Sequence, residues 1–79
     1  MKKTYTEANS IQLAKDTWKN MSKEKKEELL DAIDSDLSWA EVKTIDEMNR
    51  RGGKLVANKI IEVNREYLRR SGGKVTIDW

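Results

Sequence analysis

The chain has 79 residues, of which 38% are charged and 37% hydrophobic, with a net charge of +2. That length makes one domain, residues 1–79, close to the lower limit for a core without staples. Cysteine and histidine are both absent. Disulfides, thiolate chemistry, the usual zinc sites and the Ser-His and Cys-His nucleophile pairs therefore cannot be built, and no metal or cofactor is expected.

Proline and phenylalanine are also missing, and Lys, Glu, Leu and Ala are plentiful, which favours a mainly helical domain. The N-terminal Met1–Ser10 has basic residues but no apolar run behind them, so no secretory signal is expected. No stretch approaches the roughly 20 apolar residues of a membrane span. A cytoplasmic protein without a membrane partner is the expectation.

In chain order, Lys3-Thr4-Tyr5-Thr6 alternates as a short strand does. From residue 7 to 21, Ala8, Ile11, Ala14, Trp18 and Met21 recur at spacings of three and four, predicting one buried helix face with Leu13 left outside it. Ser22 is a good N-cap for a second helix, about 23–34, with Leu29, Leu30 and Ile33 inward. Ser38-Trp39-Ala40-Glu41 has the spacing of a capping box, flanked by Leu37 and Val42 as staple residues, and predicts a third helix over about 39–51. Val42, Ile45 and Met48 form its inner face, and Gly52 supplies the left-handed stop.

A fourth helix, 54–70, carries two apolar ridges, Val56/Ile60/Val63/Tyr67 and Ala57/Ile61/Leu68, so it is expected to lie at the centre. Asn64 falls between them and is expected to hydrogen-bond a backbone group. Gly72 and Gly73 end that helix, and 74–79 alternates like a half-buried strand with Val75, Ile77 and Trp79 on one side. This strand needs a partner. Either it pairs with residues 2–6 in a terminal β-ribbon, the preferred reading, or it pairs with another chain and makes a homodimer. The fold class is therefore a small bundle of about four helices with a short ribbon.

Charge is unevenly spread. Residues 24–47 carry nine acids and three lysines, whereas 49–74 carry eight basic residues, all five arginines among them, and two acids. Either the two halves neutralise one another or they present opposite surfaces. The candidate anion or nucleic-acid site is the turn Arg50-Arg51-Gly52-Gly53-Lys54 followed by the stripe Lys54, Asn58, Arg65 and Arg69. Glu66 to Arg70 is a favourable pair that interrupts this stripe. The turn is not a P-loop, having no GxxxxGK[ST] spacing. Nor does it fit the DNA-binding helix-turn-helix, because neither glycine register puts small and apolar residues where that motif needs them.

Asp31, Asp34 and Asp36 form the alternative site, an acidic protein-binding face. They do not make an EF-hand, which would need glycine at Trp39 and glutamate at Ile45. The segment Gly53-Lys-Leu-Val-Ala57-Asn58-Lys-Ile60-Ile-Glu62-Val-Asn64 resembles a helix of Arf GTPase-activating domains, over about a dozen residues. Those domains use a four-cysteine zinc module that has no counterpart here, so the resemblance implies a helix-packing pattern and no activity.

The function expected from these features is a small non-enzymatic accessory or regulatory protein. It would act on nucleic acid, or on a nucleic-acid-handling complex, through residues 50–70. The alternative is a protein-binding inhibitor or adaptor of the kind found in phages and mobile elements, using 24–47 or the C-terminal strand.

Overall fold

A computed structural model describes residues 1–33 and 37–79. The fold is mainly helical, with the two chain ends joined as a ribbon. The elements are β1 (Lys2–Thr6), a 3-10 turn (Glu7–Asn9), α1 (Ser10–Asn20), α2 (Lys23–Ala32), a 3-10 segment (Leu37–Glu41), α3 (Ile45–Arg50), α4 (Lys54–Arg70) and β2 (Lys74–Asp78). β1 and β2 pair antiparallel, Lys2 opposite Asp78 and Thr6 opposite Lys74, so the terminal strand does find its partner within the chain.

Local signals account for several boundaries. Ser22 caps α2, its hydroxyl accepting from the Lys25 N–H at 3.2 Å. α3 ends in a Schellman motif: the Gly53 N–H reaches the Met48 carbonyl at 2.8 Å and the Gly52 N–H reaches Asn49 at 3.2 Å. Gly52 sits at φ 86°, where a side chain would be strained. Gly53 is required for a different reason. A Cβ there would stand 2.8 Å from Met48 Cγ and 3.1 Å from the Trp39 ring, so the helix pair could not close as tightly. α4 ends in the same hydrogen-bond pattern, Gly73 to Leu68 at 2.8 Å and Gly72 to Arg69 at 3.2 Å.

The third predicted helix is corrected. Instead of one helix over 39–51 there is a 3-10 segment, a break at 42–44, and then α3 from Ile45. The side chains of the predicted cap Ser38 and staple residue Leu37 lie outside the described part. The cap that operates is Thr44, whose hydroxyl accepts from the Glu47 N–H at 3.0 Å, while the Glu47 carboxylate accepts from the Lys43 N–H at 3.3 Å. Thr44-x-x-Glu47 thus competes with Ser38-x-x-Glu41, and a tertiary bond favours it. The Trp18 indole N–H donates to the Val42 carbonyl at 2.8 Å in the buried interior, holding that carbonyl where a continuous helix would have drawn it to its own ladder.

Two apolar clusters hold the elements together. The larger joins Ala14 and Trp18 of α1, Leu30 of α2, Ala40 of the 3-10 segment, Val42 just after it, Ile45 and Met48 of α3, and Ala57 and Ile60 of α4. The smaller joins Tyr5, Leu13 and Leu68, covered by Val75 and Ile77 of β2. Leu13 is therefore fully buried, not the outlying leucine expected, and Ile11, expected inside, is 50% exposed. The ribbon covers the Leu13 flank of α1. Burying such a side chain is worth about 1.5–3 kcal/mol, and the position of the ribbon decides that Leu13 gains it and Ile11 does not.

α4 contacts α1, α3 and β2 and is the central helix, as its pattern predicted. Its buried arc is narrower than expected: Ala57, Ile60, Asn64 and Leu68 are enclosed, whereas Val63 and Tyr67 are 42% and 49% exposed. Asn64 donates from Nδ2 to the Ile60 carbonyl at 2.9 Å, the predicted amide-to-backbone bond. Lys26, by contrast, was not foreseen in the interior. It is buried with its ammonium 4.8 Å from the centre of the Trp18 ring, and burial pushes that amine below the ordinary lysine value.

Candidate functional site: the basic flank of the central helix

Seventeen residues of uninterrupted α4 project its polar side chains in fixed order. Lys54, Asn58, Arg65 and Arg69 are all exposed. Successive turns set them along one flank over about 22 Å of axis. Arg50 and Arg51 are exposed at the end of α3, next to the Schellman turn, so they adjoin the Lys54 end of the stripe. The helix C-terminus is a favourable place for them, since cations complement its free carbonyls. Arg69 and Arg70 occupy the equivalent position on α4. The predicted cations thus form an extended track and not a single concave site.

Pairing divides this track into two halves. At the C-terminal end Glu66 takes both neighbours, Arg69 at 3.1 Å and Arg70 at 3.4 Å. Lys59 pairs with Glu62 at 3.6 Å. Arg65 lies against α1, its Nε 3.5 Å from the Ser10 hydroxyl. Among the described residues no carboxylate lies within 4 Å of Arg50, Arg51, Lys54 or Arg65. The available positive charge is therefore concentrated from the turn to the middle of α4.

The acidic and basic segments do not cancel one another directly. Glu41 pairs with Lys23, Asp46 with Lys15 and Glu28 with Lys25. Among the described residues, no ion pair links an acid of 24–47 to a cation of 49–74. Of the alternative site, Asp31 is exposed on α2, and Asp34 and Asp36 lie outside the described residues.

A polar cluster that the sequence did not single out lies beneath the ribbon. Asp16 of α1 accepts from Lys3 Nζ at 3.0 Å, from the Tyr5 hydroxyl and from Gln12 Nε2 at 2.8 Å. Partial burial alone would raise the Asp16 carboxyl, but these three donors more than offset it and hold it below the ordinary carboxylate value. Burial and the bond to Asp16 push the Tyr5 phenol up, so it stays a donor through neutral pH. Trp79 Nε1 in turn donates to the Tyr5 oxygen at 2.7 Å, with the rings edge-to-face at 6.5 Å. Only the ribbon brings these groups together, and their separation in sequence concealed them.

The architecture is a small helical bundle closed by a terminal ribbon. Comparisons with protein-family models, curated proteins and solved structures find no match to this chain. Among the described residues no helix is long and apolar enough to cross a membrane.

Proposed function

We propose that this protein is a small non-enzymatic accessory or regulatory factor that binds the phosphate backbone of a nucleic acid, alone or within a nucleic-acid-handling complex. The observation that carries the reading is the grouping of Arg50 and Arg51 at the α3–α4 turn with Lys54 and Arg65, which stand about 17 Å apart along α4, all four exposed and without carboxylate partners among the described residues. Phosphate contacts made by such a track position a protein without reading sequence. Asn58, in the same row, adds a hydrogen-bonding group of the kind that joins Arg and Lys at phosphates.

Four phosphate contacts release a corresponding number of counterions, so the affinity for duplex DNA should fall with salt on a log–log slope of about −3 to −4. Fluorescence anisotropy with labelled duplex and single-stranded DNA and RNA from low to physiological salt measures it. The variant Arg51→Glu/Arg65→Glu is expected to abolish binding at low salt with its helical circular dichroism unchanged. Absence of binding by the wild-type protein at low ionic strength would sink the reading and leave the protein-binding alternative.

A further inference from the structure

On α4 the flank formed by Val63 and Tyr67 lies about 170° around the helix from the Asn58/Arg65 flank. It borders an open groove of ≈ 560 Å³, whose apolar walls are Met21, Leu29 of α2, Val63 and Tyr67 of α4, and Ile77 and Trp79 of the ribbon end. Three of the molecule's exposed large hydrophobics gather here: Val63 at 42%, Tyr67 at 49% and Trp79 at 38%. Four elements converge on the groove, and its volume falls within the roughly 300–1,000 Å³ of small-ligand clefts.

Three features restrict what could occupy it. First, Asn64 reaches its wall while only 7% exposed. Its Nδ2 is committed to the Ile60 carbonyl at 2.9 Å, and among the described residues no group donates to its Oδ1. An acceptor set in an apolar wall rewards a ligand that brings one donor, because an occupant without it leaves the carbonyl desolvated and unpaired. Second, the two charges that line the groove, Lys25 and Glu28, are paired with each other at 3.6 Å. A charged ligand would find no free counter-charge there, so a neutral one is favoured. Third, the Trp79 ring is already held, its N–H donating to Tyr5 at 2.7 Å. It therefore offers a preset aromatic surface in the groove that Tyr67 also lines.

We propose that this groove is a binding site for a small neutral aromatic molecule with one hydrogen-bond donor, the ring lodged between Tyr67 and Trp79 and the donor on Asn64 Oδ1. None of Arg50, Arg51, Lys54 and Arg65 lines this groove, and the proposal does not rest on the function assigned to them.

Indole and 1-methylindole serve as probes, since they differ by the one donor, and indole-3-acetate adds a negative charge. In two-dimensional amide NMR titrations, indole is expected to shift Val63, Asn64, Tyr67 and Ile77 saturably. 1-Methylindole should bind about fivefold more weakly, the value of one ordinary hydrogen bond, and indole-3-acetate should also bind more weakly than indole. Tyr67→Ala, at a half-exposed position, should weaken indole about tenfold with the unfolding midpoint little changed. Asn64→Leu should remove the preference for indole over 1-methylindole. Should that variant not fold, the two probes on the wild-type protein decide the same point. The proposal is overturned by unsaturated or scattered shifts, by equal affinity for indole and 1-methylindole, or by undiminished binding to Tyr67→Ala. It is equally overturned if the same amides shift with protein concentration alone, which would mean that a second copy covers the groove.

Discussion

Asp16 ties the ribbon to the helices through one carboxylate. Its side chain is 19% exposed and accepts from Lys3, Tyr5 and Gln12. Because its folded-state value is depressed, its contribution is complete above the unfolded carboxylate value of about 4 and is lost as pH falls through the folded value. Asp16→Asn should therefore destabilise the protein by about 1.5–3 kcal/mol at pH 7, the range for hydrogen bonds to a charged group. Urea unfolding of both proteins at pH 7 and pH 3 tests it: the difference should shrink at the lower pH. An unchanged difference would mean that the carboxylate charge has no part in holding the ribbon. Asp16 was invisible as a cluster in the sequence, where it stands 13 residues from Lys3 and 63 from Trp79. Asn64, in contrast, was legible, because its place between two apolar ridges demanded a local partner.

At the scale of elements, the α3–α4 hairpin separates two roles of glycine that the sequence presents as one Gly-Gly pair. Gly52→Ala meets open space but keeps a positive φ, and should cost about 1–2 kcal/mol. Gly53→Ala has an ordinary φ, yet its methyl group would meet the Met48 side chain and backbone at 2.8 and 3.0 Å. That overpacking should cost about 1–3 kcal/mol and disturb the Trp39 environment as well. Denaturant midpoints rank the two, and tryptophan fluorescence should change for Gly53→Ala alone. The hairpin stop was readable because a left-handed residue after a helix is a local requirement. The start of α3 was not. Two capping-box spacings lie six residues apart, and the buried Trp18–Val42 bond favours the later one.

For the whole molecule, the ribbon closes the second core. Deleting residues 74–79 would leave β1 unpaired and uncover Tyr5, Leu13 and Leu68, each fully buried. Losing part of roughly 1.5–3 kcal/mol at each site competes with a total stability of only about 4–12 kcal/mol for a chain of this length. The truncated chain should therefore lose cooperative thermal unfolding by circular dichroism; a sharp transition near that of the intact protein would refute the ribbon's role. The same scale governs charge. The radius of gyration is 12.1 Å, close to the roughly 11.6 Å expected of a compact chain this long, yet the acidic and basic segments share no direct ion pair among the described residues. Compaction did not neutralise the cationic flank.

The sequence by itself determined the helical class, the Ser22 cap of α2, the glycine stops after α3 and α4, the central place of α4 and the concentration of cations along it. Each is set by interactions within a few turns of chain, or by composition. Tertiary structure alone decided which flank of α1 faces inward, where α3 begins, and that Val63 and Tyr67 border an open groove instead of the core. Those outcomes depend on surfaces brought together from distant parts of the chain, above all the ribbon and Trp18. A helical wheel locates an apolar arc, but only the packed neighbours fix how much of that arc is covered.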